Sequence, residues 1–364
     1  MATIIPSRAR PAMPWSARRA GDDYGAHDGP DWRTIDWREH RRDVIVHGRR
    51  VHYVDVGSGD GPPVLFVHGL SGNWQNWIEN IPRVAQEHRV LALDLPGFGQ
   101  SEKPAEKVSM SGYGRTVDAF ADALGLGELA LVGNSMGGFV SAETAIQFPD
   151  RVERLVLVSA VGITMSTLRR EPVMAWGRIA MIAGARSAAE KHMAIARPRL
   201  RHAVYSTIMR HPTRIAPEML WELSEGAGRS IFRHALEAML DYDFRDRLGD
   251  IRAPTLVVWG EEDMLVPVKD ADEFESQIPD ARKVVLKDTG HVSMLERPPT
   301  FNRLLLEFLD EPRGQQSDTV GEPTEDETGT GTGPGTEVPG SNGAEANGAR
   351  AQGADAEAEL SESQ

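Results

Sequence analysis

Residues 129–138 read LALVGNSMGG, an apolar run that leads into a glycine-x-serine-x-glycine pentapeptide. The run is typical of a buried strand, and the residues after Ser135 have a helical pattern, so the serine is predicted at a sharp strand-to-helix turn. Gly133 and Gly137 give the room for this turn, where side chains would collide. The turn exposes the hydroxyl at the positive end of a helix, where the backbone N–H of Met136 can stabilise an oxyanion. We therefore predict that Ser135 is a nucleophile.

A serine nucleophile needs a base, and the chain has eleven histidines. His291 follows a predicted strand, Val284–Leu286, and a short loop, which places it at the same sheet edge as Ser135. Four other histidines lie in a helical stretch where a solvated or packed histidine is expected: His192, His202, His211 and His234. We therefore predict His291 as the base.

The base needs a carboxylate partner, and three acids follow the predicted strand Thr255–Trp259. Asp263 has the position of a loop acid at the carboxyl end of that strand, whereas Glu261 and Glu262 are interpreted as solvated loop charges. The loop after the preceding strand, residues 159–162, contains no carboxylate. Asp263 is therefore the predicted partner, and the chain order Ser, Asp, His is one that such sites use.

A second loop at the end of a strand completes the predicted site. Residues 66–72 read FVHGLSG. The backbone N–H of Leu70 is expected to pair with that of Met136 in an oxyanion hole. His68, in the same loop, is predicted to hold the loop through hydrogen bonds and not to act as a base.

Short apolar runs alternate with helical patterns along most of the chain. This alternation predicts a doubly wound α/β fold with a mostly parallel sheet. From about Ile163 to Arg247 only helical patterning occurs, which predicts an inserted helical lid. The predicted organisation is a flexible N-terminal arm over residues 1–40, a core over 41–162 and 248–311, a lid over 163–247 and a disordered acidic tail over 312–364.

Composition and charge narrow the function classes. The net charge is −14, and residues 312–364 hold eleven Asp or Glu against two Arg. A general affinity for nucleic acid is therefore not expected. There are no cysteines, no apolar run long enough to span a membrane and no secretory signal pattern, so a cytoplasmic location is the default prediction. No metal or organic cofactor is expected, and the oligomeric state is left open.

Together these motifs resemble the α/β-hydrolase superfamily, from about Val44 to Leu309. The segment DLPGFGQS at residues 94–101 is similar to the D-x-P-G-x-G-x-S loop common in that superfamily, and it is interpreted as architectural, with Asp94 capping its turn. The resemblance implies acyl transfer by a serine triad. A non-catalytic ligand-binding receptor on the same fold is the alternative outside enzymes.

The branch of the superfamily is less sharply indicated. A serine at the turn differs from the aspartate of the haloalkane dehalogenases and epoxide hydrolases. GNSMGG followed by FPDRVERLVLVS is similar to the meta-cleavage-product hydrolases, which cut C–C bonds. Two departures favour a carboxylesterase-like activity: HGLSGNWQNW replaces the glycine-rich loop, and Val292 replaces the tryptophan after the histidine. C–C hydrolysis and cofactor-free perhydrolysis remain as alternatives.

The predicted lid carries the only sequence features that bear on the substrate. Seven of the thirteen methionines lie between residues 163 and 247. Methionine adapts to variously shaped apolar ligands, which favours a partly apolar acyl substrate, but these residues can equally fill the core of the lid. The basic run RPRLRH at residues 197–202 has three interpretations: a solvated face, a contact to an anionic substrate group, or a contact to an anionic membrane surface.

Overall fold

The computed structural model describes residues 9–184, 187–226 and 229–312. Within these residues, eight strands form one sheet in the order β1-β2-β4-β3-β5-β6-β7-β8. The strands are β1 (Arg41–Val46), β2 (Arg49–Val56), β3 (Val64–Val67), β4 (Val90–Leu93), β5 (Leu129–Asn134), β6 (Val152–Val158), β7 (Thr255–Gly260) and β8 (Ala281–Leu286). The first two strands are antiparallel to their neighbours, and the pairs from β4 to β8 are parallel. This confirms the predicted mostly parallel sheet.

Helices cover both faces of the sheet. The described helices are α1 (Ile81–Val84), α2 (Met110–Ala123), α3 (Met136–Gln147), α4 (Arg170–Gly184), α5 (Ala188–Ala196), α6 (Pro198–Tyr205), α7 (Pro217–Glu225), α8 (Phe232–Leu240), α9 (Lys269–Gln277), α10 (Ser293–Glu296) and α11 (Pro298–Leu309). Successive residues of the central strands point to opposite faces: Leu65 packs in one buried cluster with Phe139 of α3, and Phe66 packs in a second with Phe301 of α11. Apolar side chains are therefore buried on both faces, as in a doubly wound sheet.

The insertion between β6 and β7 contains helices α4 to α8, and its described residues include no strand. Four of its methionines are packed inside: Met174, Met209, Met219 and Met239 are each at most 8% exposed and belong to the two apolar clusters. Packing is thus the observed role of these four side chains. In the described part of the chain, no helix combines the length and the apolar character that crossing a bilayer requires.

The N-terminal segment differs from the flexible arm predicted over residues 1–40. Residues 9–40 pack against the body of the protein, because Tyr24 and Trp32 are buried in the second apolar cluster. Asp23 forms an ion pair with Arg297, and the Trp32 indole N–H donates to Glu79 at 2.8 Å. The predicted tail, from Arg313 onwards, lies outside the described residues.

Candidate active site

Ser135 occupies a strained turn between β5 and α3. Its backbone has φ 57° and ψ −118°, a conformation that L-residues rarely adopt. A Cβ on Gly133 would lie 2.3 Å from the Gly137 carbonyl oxygen, and a Cβ on Gly137 would lie 2.1 Å from that of Val67. Only glycine therefore fits on either side of the serine, as the pentapeptide predicts. The turn is held because the Ser135 N–H donates to the Val158 carbonyl at 2.9 Å.

His291 and Asp263 are joined by a buried hydrogen bond. His291 Nδ1 lies 2.8 Å from Asp263 Oδ2, and the two residues are 4% and 1% exposed. The second carboxylate oxygen, Oδ1, accepts the backbone N–H groups of Leu265 at 2.8 Å and Val266 at 2.9 Å. One oxygen is thus fixed by the loop and the other is directed at the imidazole. Because the carboxylate accepts at Nδ1, the imidazole is held with its proton on Nδ1 and the Nε2 lone pair free for a proton.

Asn134, the residue before Ser135, links the serine turn to the histidine loop. Its side-chain amide donates to the Val158 carbonyl at 3.1 Å and to the His291 carbonyl at 3.3 Å. The sequence motifs did not predict this role for Asn134. The signal available was its place beside Ser135 at the carboxyl end of a central strand, where a buried amide needs partners.

The loop after β3 lies against the serine turn. A Cβ on Gly69 would lie 3.2 Å from the Cβ of Ser135, so the backbone that leads to Leu70 passes directly beside the serine. Met136 is the first residue of α3, where a backbone N–H has no acceptor within the helix. The oxyanion hole formed by the N–H groups of Leu70 and Met136 stays a prediction.

His68 and Asp94 hold this loop, as the sequence predicts. His68 Nε2 accepts the Leu95 N–H at 3.0 Å, so Nδ1 carries the proton and donates to the Gly69 carbonyl at 2.8 Å. Asp94 accepts the backbone N–H groups of Trp74 at 2.8 Å and Gln100 at 2.7 Å. Both ring nitrogens of His68 are occupied, which leaves none for general base catalysis.

The burial of His68 predicts a loss of stability in acid. Burial lowers the pKa of His68 below its ordinary value of 6.5, while nearby Asp94 opposes this. Between that lowered pKa and 6.5 the unfolded chain binds more protons than the folded one, so the free energy of unfolding decreases as the pH is lowered, by up to about 1.4 kcal/mol per pH unit for this group. Urea unfolding from about pH 7 to about pH 5 measures the slope. His68→Gln should flatten it, and an unchanged slope would contradict this assignment.

Glu296 organises the backbone on both sides of His291. This fully buried carboxylate accepts the N–H groups of Gly290, at 3.0 Å to each oxygen, and of Val292, at 3.3 Å. It also accepts the Arg210 N–H at 2.7 Å and the hydroxyl of Tyr24. Burial raises the pKa of the Glu296 carboxyl, and these donors oppose the rise by favouring the ionised form.

The insertion also contacts the histidine loop. The His291 N–H donates to the Ile208 carbonyl at 2.9 Å. His211 Nε2 lies 2.7 Å from Asp288 Oδ2, and Arg210 forms ion pairs with Asp288 at 3.1 Å and Glu262 at 3.3 Å. His211 is therefore packed, one of the two interpretations that its sequence position allowed. Glu262, interpreted from sequence as a solvated charge, is an ion-pair partner instead.

The lid arginines have separate roles. Arg201 is 7% exposed, and its guanidinium donates to the carbonyls of Ile195 at 2.7 Å and Ile215 at 3.2 Å. Arg197 and Arg199 are exposed. A single cluster facing one ligand, which the run at 197–202 suggested, is therefore not formed, because Arg201 is used to join backbone segments of the insertion.

A mostly parallel sheet with a strained serine turn and a buried histidine–aspartate pair at its edge defines the α/β-hydrolase class of fold. The model of the alpha/beta hydrolase fold family matches residues 62–196 and 233–298. The chain belongs to this family.

The relatives carry different activities. A dihydrolipoyllysine-residue acetyltransferase component of an acetoin cleaving system from Pseudomonas putida is 31% identical, over 72% of this chain and 68% of the relative. A 2-hydroxy-6-oxo-6-phenylhexa-2,4-dienoate hydrolase from Comamonas testosteroni is 30% identical, over 71% of this chain and 91% of the relative. Among solved structures, Est816, an N-acyl homoserine lactone degrading enzyme, is 29% identical with a TM-score of 0.54, over 73% of this chain and all of Est816.

Proposed function

We propose that the chain is a serine hydrolase that cleaves a carboxylic ester or a related acyl substrate through an acyl-enzyme. The observation that carries the proposal is the buried hydrogen bond between His291 and Asp263, with the second oxygen of Asp263 fixed by two backbone donors. This arrangement sets the tautomer that a general base needs. It lies on a loop joined through Asn134 to the strained turn of Ser135.

The proposed mechanism uses only side chains and backbone of this chain. Ser135 Oγ attacks the substrate carbonyl while His291 Nε2 accepts the hydroxyl proton, and Asp263 stabilises the imidazolium. The N–H groups of Leu70 and Met136 stabilise the oxyanion. The leaving alcohol takes the proton from His291, and an ester on Ser135 Oγ remains. Water gives a proton to His291 and attacks this ester; the bond to Ser135 Oγ then breaks, His291 returns the proton to Oγ, and a carboxylic acid leaves.

C–C hydrolysis of a vinylogous diketone is the second candidate, because the relative from Comamonas testosteroni is named as a hydrolase of such a substrate, a 2-hydroxy-6-oxo-dienoate. Ester or lactone cleavage is favoured by two residues of this chain. Leu70 lies in a loop that is not glycine-rich. Val292 directly follows His291, at the position where the C–C hydrolases that this chain resembles have a tryptophan. The similarity to Est816 supports acyl substrates of the lactone or ester type.

A substrate panel separates the two candidates. The purified protein is labelled with a fluorophosphonate probe, and kcat/KM is measured for p-nitrophenyl esters, acyl lactones and a 2-hydroxy-6-oxo-dienoate. We expect labelling, and a kcat/KM for the best ester or lactone at least ~10-fold above that for the dienoate, a difference of about 1.4 kcal/mol in activation free energy. The reverse order would assign C–C hydrolysis. Absence of labelling and of all turnover would favour the binding-protein alternative.

Glu296 is predicted to stabilise the fold and to position the proposed base. Glu296→Gln places an amide N–H₂ against backbone donors in either orientation, so the free energy of unfolding should fall by roughly 3 kcal/mol. Tyr24→Phe removes one donor and should cost about 1 kcal/mol. Urea unfolding measures both. The matched control is Glu307→Gln, an exposed partner of Arg303 that should change stability by less than ~0.5 kcal/mol. Equal effects at positions 296 and 307 would contradict the prediction.

A further inference from the structure

Exposed apolar side chains are concentrated on one part of the described surface. Seven large hydrophobic residues are exposed in the described part of the chain, and five of them lie in two short segments, residues 13–19 and 193–204. The five are Met13 (50% exposed), Trp15 (65%), Met193 (43%), Leu200 (39%) and Val204 (38%). A scattered exposed leucine needs no explanation, but a group with an exposed tryptophan indicates an interaction surface.

The two segments are neighbours in space. A cavity of about 330 Å³ separates them, with Ala17 and Arg18 on one side and Pro198 and Arg199 on the other. Arg214 also lines this cavity. We call the surface formed by residues 13–19, residues 193–204 and Arg214 the basic apolar patch. None of its residues is among those proposed for catalysis, so a role for this surface does not rest on the proposed function.

The charges of the basic apolar patch are all of one sign. Neither segment contains an aspartate or glutamate. Five of its arginines are exposed, and in the described part of the chain none of them has a carboxylate within ion-pair distance: Arg18, Arg19, Arg197, Arg199 and Arg214. Elsewhere arginines with acidic neighbours are common, as in the pairs Arg151–Asp118 and Arg245–Asp243. Of the acids that lie near the two segments in the sequence, Asp23 forms an ion pair with Arg297, Glu190 is used in the capping box with Ser187, and Asp22 is exposed three residues after Arg19.

We infer that the basic apolar patch docks on the surface of an anionic phospholipid bilayer. Unpaired arginines complement lipid phosphates, and methionine, leucine and valine side chains gain by entering the boundary between headgroups and acyl chains. Tryptophan prefers that boundary because its ring is apolar and its N–H is polar. A nucleic acid would also attract the arginines, but it offers nothing for the aliphatic side chains. The binding is peripheral.

Vesicle flotation with the full chain tests the inference. Vesicles of phosphatidylcholine alone are compared with vesicles in which phosphatidylglycerol replaces part of it. We expect flotation with the anionic vesicles only, weakened as salt rises from ~0.1 M to ~1 M. Trp15→Ser should lower the partition coefficient at least ~10-fold, and Arg197→Gln combined with Arg199→Gln should lower it by about fivefold for each charge removed. Circular dichroism checks the folding of each variant.

Matched controls lie outside the basic apolar patch. Ile45 is 63% exposed on β1, and Ile45→Ser should leave flotation unchanged, as should Arg303→Gln on α11. No flotation with anionic vesicles, equal flotation with both vesicle types, or equal loss in control and patch variants would overturn the inference. A concentration-dependent dimer that Trp15→Ser dissociates, without vesicle binding, would overturn it in favour of a second copy of the chain.

Discussion

Replacing Ser135 with alanine is expected to lower kcat for the best ester by roughly 10³-fold or more. The alcohol oxygen that forms the acyl-enzyme is lost, and His291 then has no hydroxyl to deprotonate. A residual rate above that in water is expected, because the backbone donors of the oxyanion hole and the substrate-binding surface remain. Ester hydrolysis by the purified variant, with fluorophosphonate labelling beside it, measures the loss.

Folding should change little in this variant. The bonds that hold the turn are made by the backbone: the Ser135 N–H donates to Val158, and the Ser135 carbonyl accepts from Phe139 and Val161, both at 3.1 Å. Alanine keeps all three and has the same positive-φ strain as serine. Ser141→Ala, on the next turn of α3, is the matched control and should keep full activity. Retention of most activity in Ser135→Ala would exclude Ser135 as the nucleophile.

The sheet could be predicted because its signals are local. Runs such as Val64–Val67 and Val90–Leu93 are apolar at every position, and in the structure every residue of both strands is buried. Only a strand covered on both faces needs such a run, and the helical patterns between the runs dictate the parallel connections. The strained turn at Ser135 could also be predicted from a local signal, because the two glycines that the turn requires are only four residues apart in the sequence.

The partners of the histidine loop could not be predicted, because they come from distant parts of the chain. Tyr24, which contacts Glu296, is 272 residues away from it in the sequence, and Arg210, which also contacts Glu296, is 86 residues away. Arg and Pro in the N-terminal segment indicated poor order, yet Tyr24 and Trp32 supply enough apolar surface to dock residues 9–40. A carboxylate five residues after His291, directly after the mainly apolar run VSML, was the only local sign of Glu296. That the Glu296 carboxylate is buried can be recognised only from the tertiary structure.

Asp263→Asn is expected to lower kcat/KM by about 10³- to 10⁴-fold with little loss of structure, because it reverses the tautomer of His291. The amide oxygen should take the place of Oδ1, since two backbone N–H groups, of Leu265 and Val266, already point there. The amide nitrogen then faces His291 Nδ1 and must donate to it. With Nδ1 as acceptor, the proton moves to Nε2, and Nε2 can no longer take the proton of Ser135.

Nitrogen NMR of the His291 ring distinguishes this effect from a general loss of fold. The neutral wild-type ring should carry its proton on Nδ1, and the Asp263→Asn ring should carry it on Nε2, with the chemical shifts of the two nitrogens exchanged. Asp263→Ala leaves Nδ1 without either partner and should lower the rate without imposing the Nε2–H form. Glu262→Gln is the matched control, because this loop acid pairs with Arg210 at 3.3 Å and not with His291. An unchanged tautomer in an inactive Asp263→Asn would contradict the proposed role of Asp263 in fixing the tautomer and would assign the loss to the geometry of the loop.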